Sequence, residues 1–194
     1  MPVQTSLFDN PADPPPVAPE GFAYRPDLIS PGEEADLVAR LAGLPFKPFE
    51  FRGYLGRRRT VSFGWRYDFN QRTLQEAGDV PAFLVPLRER AAAFAGLRPA
   101  ALEHVVVTEY AAGAGIGWHR DRTEFEDVLG VSLLAPCGLR FRRKAARGWD
   151  RATVAVAPRS AYLLRGPARR EWEHSIAPLD ALRYSITFRS VRRA

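Results

Sequence analysis

A chain of 194 residues with 46% hydrophobic content is long enough for one domain with a sizeable core, and no apolar run approaches the ~20 residues of a membrane-spanning helix. Its single cysteine, Cys137, excludes an internal disulfide and any thiolate zinc cluster, so a bound metal must be held by imidazole and carboxylate. The net charge of +6 comes largely from arginine runs at 57–59, 140–144, 169–170 and 192–193, and these favour a polyanionic partner, nucleic acid first, because arginine forks phosphate and stacks on bases.

Residues 1–20 are proline-rich and poor in apolar side chains, which reads as a flexible arm. The arm lacks the basic-then-apolar layout of a signal or transit peptide, so the expected address is cytoplasmic. Folded structure is expected over 21–194 as a single domain. "SPGEE" places Ser30, Pro31 and Glu33 as a capping box with proline at the first helical position, and a helix to about Leu41 follows. A second helix is expected from Pro81 to Phe94, with Phe83, Leu84, Leu87, Ala91 and Phe94 on one face and Gly96 as its stop. Short strands are expected at 46–54, 59–67, 103–110, 128–135, 138–143, 151–157, 160–165 and 182–191. Two helices followed by strands without βαβ alternation describe an α+β, mostly β fold, a jelly roll or barrel with N-terminal helices on one side.

Two positions apart in an extended segment, His119 and Asp121 of "GIGWHRD" can offer an imidazole and a carboxylate to one point. The third ligand must come from His104, mid-strand in "EHVVVTEY", or from His174 in "REWEHSIAP", and His174 is preferred for its place at an expected strand start beside polar neighbours. Two histidines and one carboxylate with open opposite positions suit a non-haem Fe(II) centre. In the last strand, "LRYSITFRSVR", Arg183, Ser185, Thr187 and Arg189 share one face. Buried arginines there need a neutralising partner, which a dicarboxylate or a pair of structural salt bridges would supply, unless that face is open to solvent.

The ordered pattern His119-x-Asp121, His174, then Arg183-x5-Arg189, together with "TEYAAGAGIGWHRD", "RGPARREWEHSI" and "RYSITFR", resembles the AlkB family of Fe(II)- and 2-oxoglutarate-dependent dioxygenases from about Phe51 to Arg192. The resemblance implies a double-stranded β-helix with Fe(II) on His119, Asp121 and His174. It also implies that Tyr110 and Arg183 bind the distal carboxylate of 2-oxoglutarate, and that Arg189 sits by the iron-chelating carboxylate. The implied reaction consumes O2 and 2-oxoglutarate and hydroxylates a C–H bond; on an N-methyl group it ends in formaldehyde and the free amine. Direct-reversal repair of 1-methyladenine and 3-methylcytosine in single-stranded DNA is the family's best known form.

A base must leave the stack to reach such an iron. "RRRTVSFGWRYDF" at 57–69 resembles the family's substrate lid, with Trp65 and Tyr67 as expected base contacts and Arg57, Arg58 and Arg59 as expected phosphate contacts. Thr108 and Ser185 stand where founding members carry asparagine beside 2-oxoglutarate, and each keeps a hydroxyl. Thr123 replaces a base-reading carboxylate, with Glu124 following it. In the arm, Gln4, Leu7 and Phe8 of "QTSLF" resemble peptides that dock on the bacterial sliding clamp. A monomer is expected. RNA or a protein side chain as substrate, and a non-catalytic nucleic-acid binder, are the alternative readings.

Overall fold

The computed structural model describes residues 18–51, 54–68 and 73–192. Its elements run β1 (Phe22–Arg25), α1 (Pro31–Leu41), β2 (Lys47–Phe51), β3 (Tyr54–Asp68), β4 (Thr73–Glu76), a 3-10 turn (Ala82–Leu84) leading into α2 (Val85–Ala95), and a second such turn (Pro99–Ala101). They continue with β5 (His104–Tyr110), β6 (Ile116–His119), β7 (Phe125–Leu133), β8 (Cys137–Lys144), β9 (Trp149–Val156), β10 (Ala161–Leu164), α3 (Gly166–Arg170), β11 (Glu173–Ile176) and β12 (Arg183–Val191).

Two antiparallel sheets form. The larger runs β1-β10-β7-β12-β5-β3-β2 with β4 paired to β3, and the smaller runs β6-β11-β8-β9. Strand alternation divides the larger sheet's two faces between separate cores. Tyr184, Ile186 and Phe188 of β12, with Val105 and Val107 of β5 and Leu129, Val131 and Leu133 of β7, pack on Leu37 and Leu41 of α1 and Leu87, Ala91 and Ala95 of α2. The opposite face joins Val128, Tyr162 and Leu164 to Leu139, Phe141, Val156, Trp172 and Ile176 between the sheets. This is the mostly β, helix-backed architecture expected from the strand pattern.

Local signals account for the helix ends. The Glu33 carboxylate accepts from the Ser30 backbone at 2.8 Å, while Ser30 Oγ accepts from the Glu33 backbone at 3.3 Å. Gly96 closes α2 in the left-handed region, φ 66°, where glycine carries no Cβ penalty. The second helix begins as a 3-10 turn rather than as one α-helix from Pro81. All eight expected strands form, and four more appear: β1, β4, β6 and β11, each of four residues. Their partners in the sheets define them.

Candidate metal centre

β6 and β11 are two of those additional strands, formed where His119 was expected in an extended segment and His174 at a strand start, and they carry the two histidines of the site. They pair antiparallel with His119 and His174 directly opposite, which brings their rings to 4.3 Å between centroids. A close approach makes this possible: a side chain on Gly115 would stand 2.7 Å from the Ile176 carbonyl oxygen. Asp121 follows just beyond β6, its side chain 6% exposed. One ligand atom from each of His119, Asp121 and His174 lies within 4.8 Å of the others. His104, the alternative third ligand, lies instead on β5 opposite Arg189, its ring tilted against Phe125 at 4.5 Å.

Each group is prepared for a cation. His119 Nδ1 donates to the Gly117 carbonyl at 2.9 Å, which leaves Nε2 as the free lone pair. His174 Nε2 faces Asp121 Oδ2 at 3.6 Å. Burial lowers the pKa of His119, and burial followed by the neighbouring His119 lowers that of His174 to about 3; both are neutral at neutral pH, the form that ligates metal. Asp121 is pushed up by burial, but Arg189, then His174 and His119, outweigh it and hold the carboxyl below the usual carboxylate range. Arg189 does so by donating Nε and a terminal nitrogen to Asp121 Oδ1 at 2.8 and 2.7 Å. Asp121 Oδ2 is buried with no hydrogen-bond partner among the described residues. A neutral N, neutral N and anionic O set with this orphaned oxygen fits a divalent iron.

Beside the trio, β12 supplies a cation pocket. Arg183, 0% exposed, stands opposite Tyr110 of β5, its guanidinium carbon 5.2 Å from that ring's centroid. Nε donates to Ser132 Oγ at 3.1 Å, whereas neither terminal nitrogen has a partner among the described residues. Thr108 and Ser185 face each other across β5 and β12, and Ser185 also pairs with Ser132 of β7; all three are buried. Unpaired guanidinium nitrogens lined by hydroxyls fit a carboxylate entering between the sheets.

The residues expected to meet substrate are more dispersed. Arg57 is exposed, and Trp65 is half-buried on β3, where β3 pairs with β4. The Tyr67 side chain lies outside the described residues, as do Gln4, Leu7 and Phe8. Arg58 turns inward, its guanidinium 3.8 Å from the Phe49 ring centroid and near enough to help depress the His119 imidazolium. The Arg59 fork is engaged by the Glu109 carboxylate at 2.8 and 2.9 Å, with its side chain half exposed. Glu124 is half-buried beside the exposed Thr123, whose hydroxyl donates to it at 3.4 Å.

Two residues of this region escaped the sequence reading. Ser132 was hidden in an apolar strand, although its even offset from Val128 marks the inner face. Arg169 reads as part of a basic run, yet it is buried and donates to the Phe125 carbonyl at 2.8 Å and to the Arg122 carbonyl. It thereby pins the loop that follows Asp121.

Comparison with known proteins agrees with this geometry. Residues 21–189 match the model of the 2OG-Fe(II) oxygenase superfamily. An Alkylated DNA repair protein ALKBH8 homolog of Arabidopsis thaliana is 29% identical over 98% of this chain, and the chain spans 60% of that relative's length. The solved structure of OsALKBH1 superposes with a TM-score of 0.70 at 15% identity, covering 90% of this chain and 98% of that one. A 2OG-Fe(II) oxygenase family oxidoreductase from Burkholderia pseudomallei superposes at 0.61 and 17% identity, covering 89% and 86%. The jelly-roll fold, the histidine–aspartate–histidine cluster and the match over most of its length agree: the chain belongs to the 2OG-Fe(II) oxygenase superfamily, a family whose enzymes work with Fe(II), 2-oxoglutarate and O2.

Proposed function

We propose that the chain is an oxidative demethylase of N-alkylated bases, such as 1-methyladenine and 3-methylcytosine, in single-stranded DNA. The observation that carries this reading is the neutral His119, Asp121, His174 cluster beside the buried Arg183 with two unpaired nitrogens, in a chain whose net charge is +6. Iron supplied with O2 and 2-oxoglutarate furnishes hydroxylation of the N-methyl carbon, after which the hemiaminal releases formaldehyde and the repaired base, with succinate and CO2 as the other products.

The chain's own residues bind, orient and exclude water. His119 and His174 present neutral nitrogens, and Arg189 keeps the Asp121 carboxylate ionised with one oxygen turned to the histidines. Arg183, Tyr110, Thr108 and Ser185 receive the distal carboxylate of 2-oxoglutarate between the two sheets, away from bulk water. Arg57 and Arg58, with Trp65 and Tyr67 from β3 and with Glu124, meet the flipped nucleotide and its phosphates. The reading includes a single catalytic domain from about residue 21, a monomer in the cytoplasm, and an arm whose Gln4, Leu7 and Phe8 dock on a sliding clamp. No helix among the described residues is long and apolar enough to cross a membrane.

The test is release of formaldehyde and succinate from purified protein given Fe(II), 2-oxoglutarate and single-stranded DNA carrying 1-methyladenine or 3-methylcytosine. Methyl-dependent release of both supports the reading. Succinate without formaldehyde would move the substrate to RNA or a protein side chain, and neither product would leave a non-catalytic binder. Deleting residues 1–10 is expected to weaken clamp binding and leave turnover of a short oligonucleotide unchanged; equal clamp binding would remove the docking idea.

A further inference from the structure

The arginine run at 140–144 has no part in the site above. On β8 the side chains alternate: Cys137, Leu139 and Phe141 are buried between the sheets, which turns Arg140, Arg142 and Lys144 to the outer face of the smaller sheet. On neighbouring strands Arg142 stands directly opposite Arg151, and Lys144 opposite Trp149. The Arg142 guanidinium lies between two indoles, 4.5 Å from the Trp118 ring centroid and 4.5 Å from that of Trp149. The Arg140 guanidinium lies 5.2 Å from the Trp118 ring centroid.

Among the described residues, the cations Arg140, Arg142, Lys144 and Arg151 share this face with Glu173, which accepts from Arg142 at 2.6 Å. Arg140 is fixed by Ser175 Oγ at 3.1 Å. Like charges directly opposite on a sheet are destabilising, so the Arg142 and Arg151 pair is an arrangement that a bound polyanion relieves. Trp149 is 42% exposed, leaving indole surface for a base. A sheet face that interleaves aromatic rings with arginines is a stacking platform for an unpaired strand, with the guanidinium edges directed at phosphates.

We infer that this outer face, built from Trp118, Arg140, Arg142, Lys144, Trp149 and Arg151, is a docking surface for the single-stranded DNA that flanks the base under repair. Its link to catalysis rests on the demethylase reading and on one feature of β6. That strand is the edge of the smaller sheet, with Trp118 on the outer face and the next residue, His119, turned to the iron site. A strand lying across the platform therefore passes over the β6 edge to reach the metal centre.

The experiment is fluorescence anisotropy of the full chain with a labelled single-stranded oligothymidylate of about 20 nucleotides over a salt series. Arg151→Glu is expected to weaken binding about tenfold or more and to flatten the salt dependence, and Trp149→Ala to weaken it about fivefold or more. Arg151→Lys keeps the charge and is expected to retain binding, with unchanged melting temperatures verifying the fold. Turnover of a methylated trinucleotide, too short to span the platform, is expected to be unchanged in all three variants. Wild-type affinity in Arg151→Glu and Trp149→Ala overturns the inference and leaves the demethylase reading standing. Loss of affinity in a protein that releases no formaldehyde keeps the surface and removes that reading. Tighter binding by about tenfold to an RNA of the same length would overturn the assignment to DNA.

Discussion

Arg183→Met is the most discriminating substitution at the centre, because cosubstrate binding is expected to fall far more than stability. The guanidinium is fully buried against the Tyr110 ring, and Nε donates to Ser132 Oγ at 3.1 Å. Leaving a buried polar donor unpaired costs about 1–3 kcal/mol, and two terminal nitrogens are in that condition. Methionine, of similar length and without charge, removes both penalties. Against this stand the lost Nε bond, about 1.5–3 kcal/mol when one partner is charged, and an unpaired Ser132 hydroxyl at about 1 kcal/mol or more. The terms leave the cosubstrate-free variant between about 2 kcal/mol less stable and about 3 kcal/mol more stable, a far smaller loss than removal of a paired buried charge. For 2-oxoglutarate the effect is a loss: losing a buried charged partner costs about 3–4 kcal/mol, or roughly a hundredfold to a thousandfold in affinity. Urea denaturation without cosubstrate, and calorimetric titration of 2-oxoglutarate without O2, read the two effects separately. A variant less stable by more than about 2 kcal/mol would refute the claim that this charge waits for a ligand, and unchanged affinity would place the carboxylate anchor elsewhere.

Asp121→Ala is expected to abolish iron-dependent turnover and, by leaving Arg189 without its carboxylate, to cost about 3–5 kcal/mol of stability; retained activity would sink the ligand assignment. Phe188→Ala removes a fully buried ring on the helix side of β12, so denaturation is expected to show a loss of about 3–5 kcal/mol with 2-oxoglutarate affinity unchanged. In the metal-free protein His104, His119 and His174 all have pKa values lowered by burial, His174 to about 3. The unfolded chain therefore binds more protons below the usual histidine value of 6.5. Stability should fall as pH drops through that value toward about 3, by up to about 1.4 kcal/mol per pH unit for each histidine, and be flat in this respect above pH 7. A melting temperature that rises on acidification from pH 7 to pH 5 would contradict it. Arg57→Ala is expected to weaken oligonucleotide binding and shallow its salt dependence, whereas Arg59→Met, already engaged by Glu109, is expected to leave the salt slope unchanged; equal effects would place Arg59 among the phosphate contacts.

Much of this protein was legible in its linear pattern, wherever the physical rule was local. The Ser30 capping box, the Gly96 stop and the two-residue alternation of β12 depend on neighbours within a few positions. The same alternation placed Arg183, Ser185, Thr187 and Arg189 on one face before any fold was known. The order of His119, Asp121, His174 and the two arginines carried the family resemblance, and with it the chemistry.

Tertiary structure decided what depends on partners distant in the chain. The pairing of β6 with β11 sets His119 against His174 and leaves His104 beside Arg189, and no rule local to either strand specifies that pairing. Equivalent arginines in sequence part company for the same reason. Arg59 meets Glu109, Arg58 turns inward, Arg169 is buried against backbone carbonyls, and Arg140 and Arg142 lie against tryptophan. A guanidinium's role is set by which acceptor or ring the fold brings within a few ångströms, and composition does not carry that information.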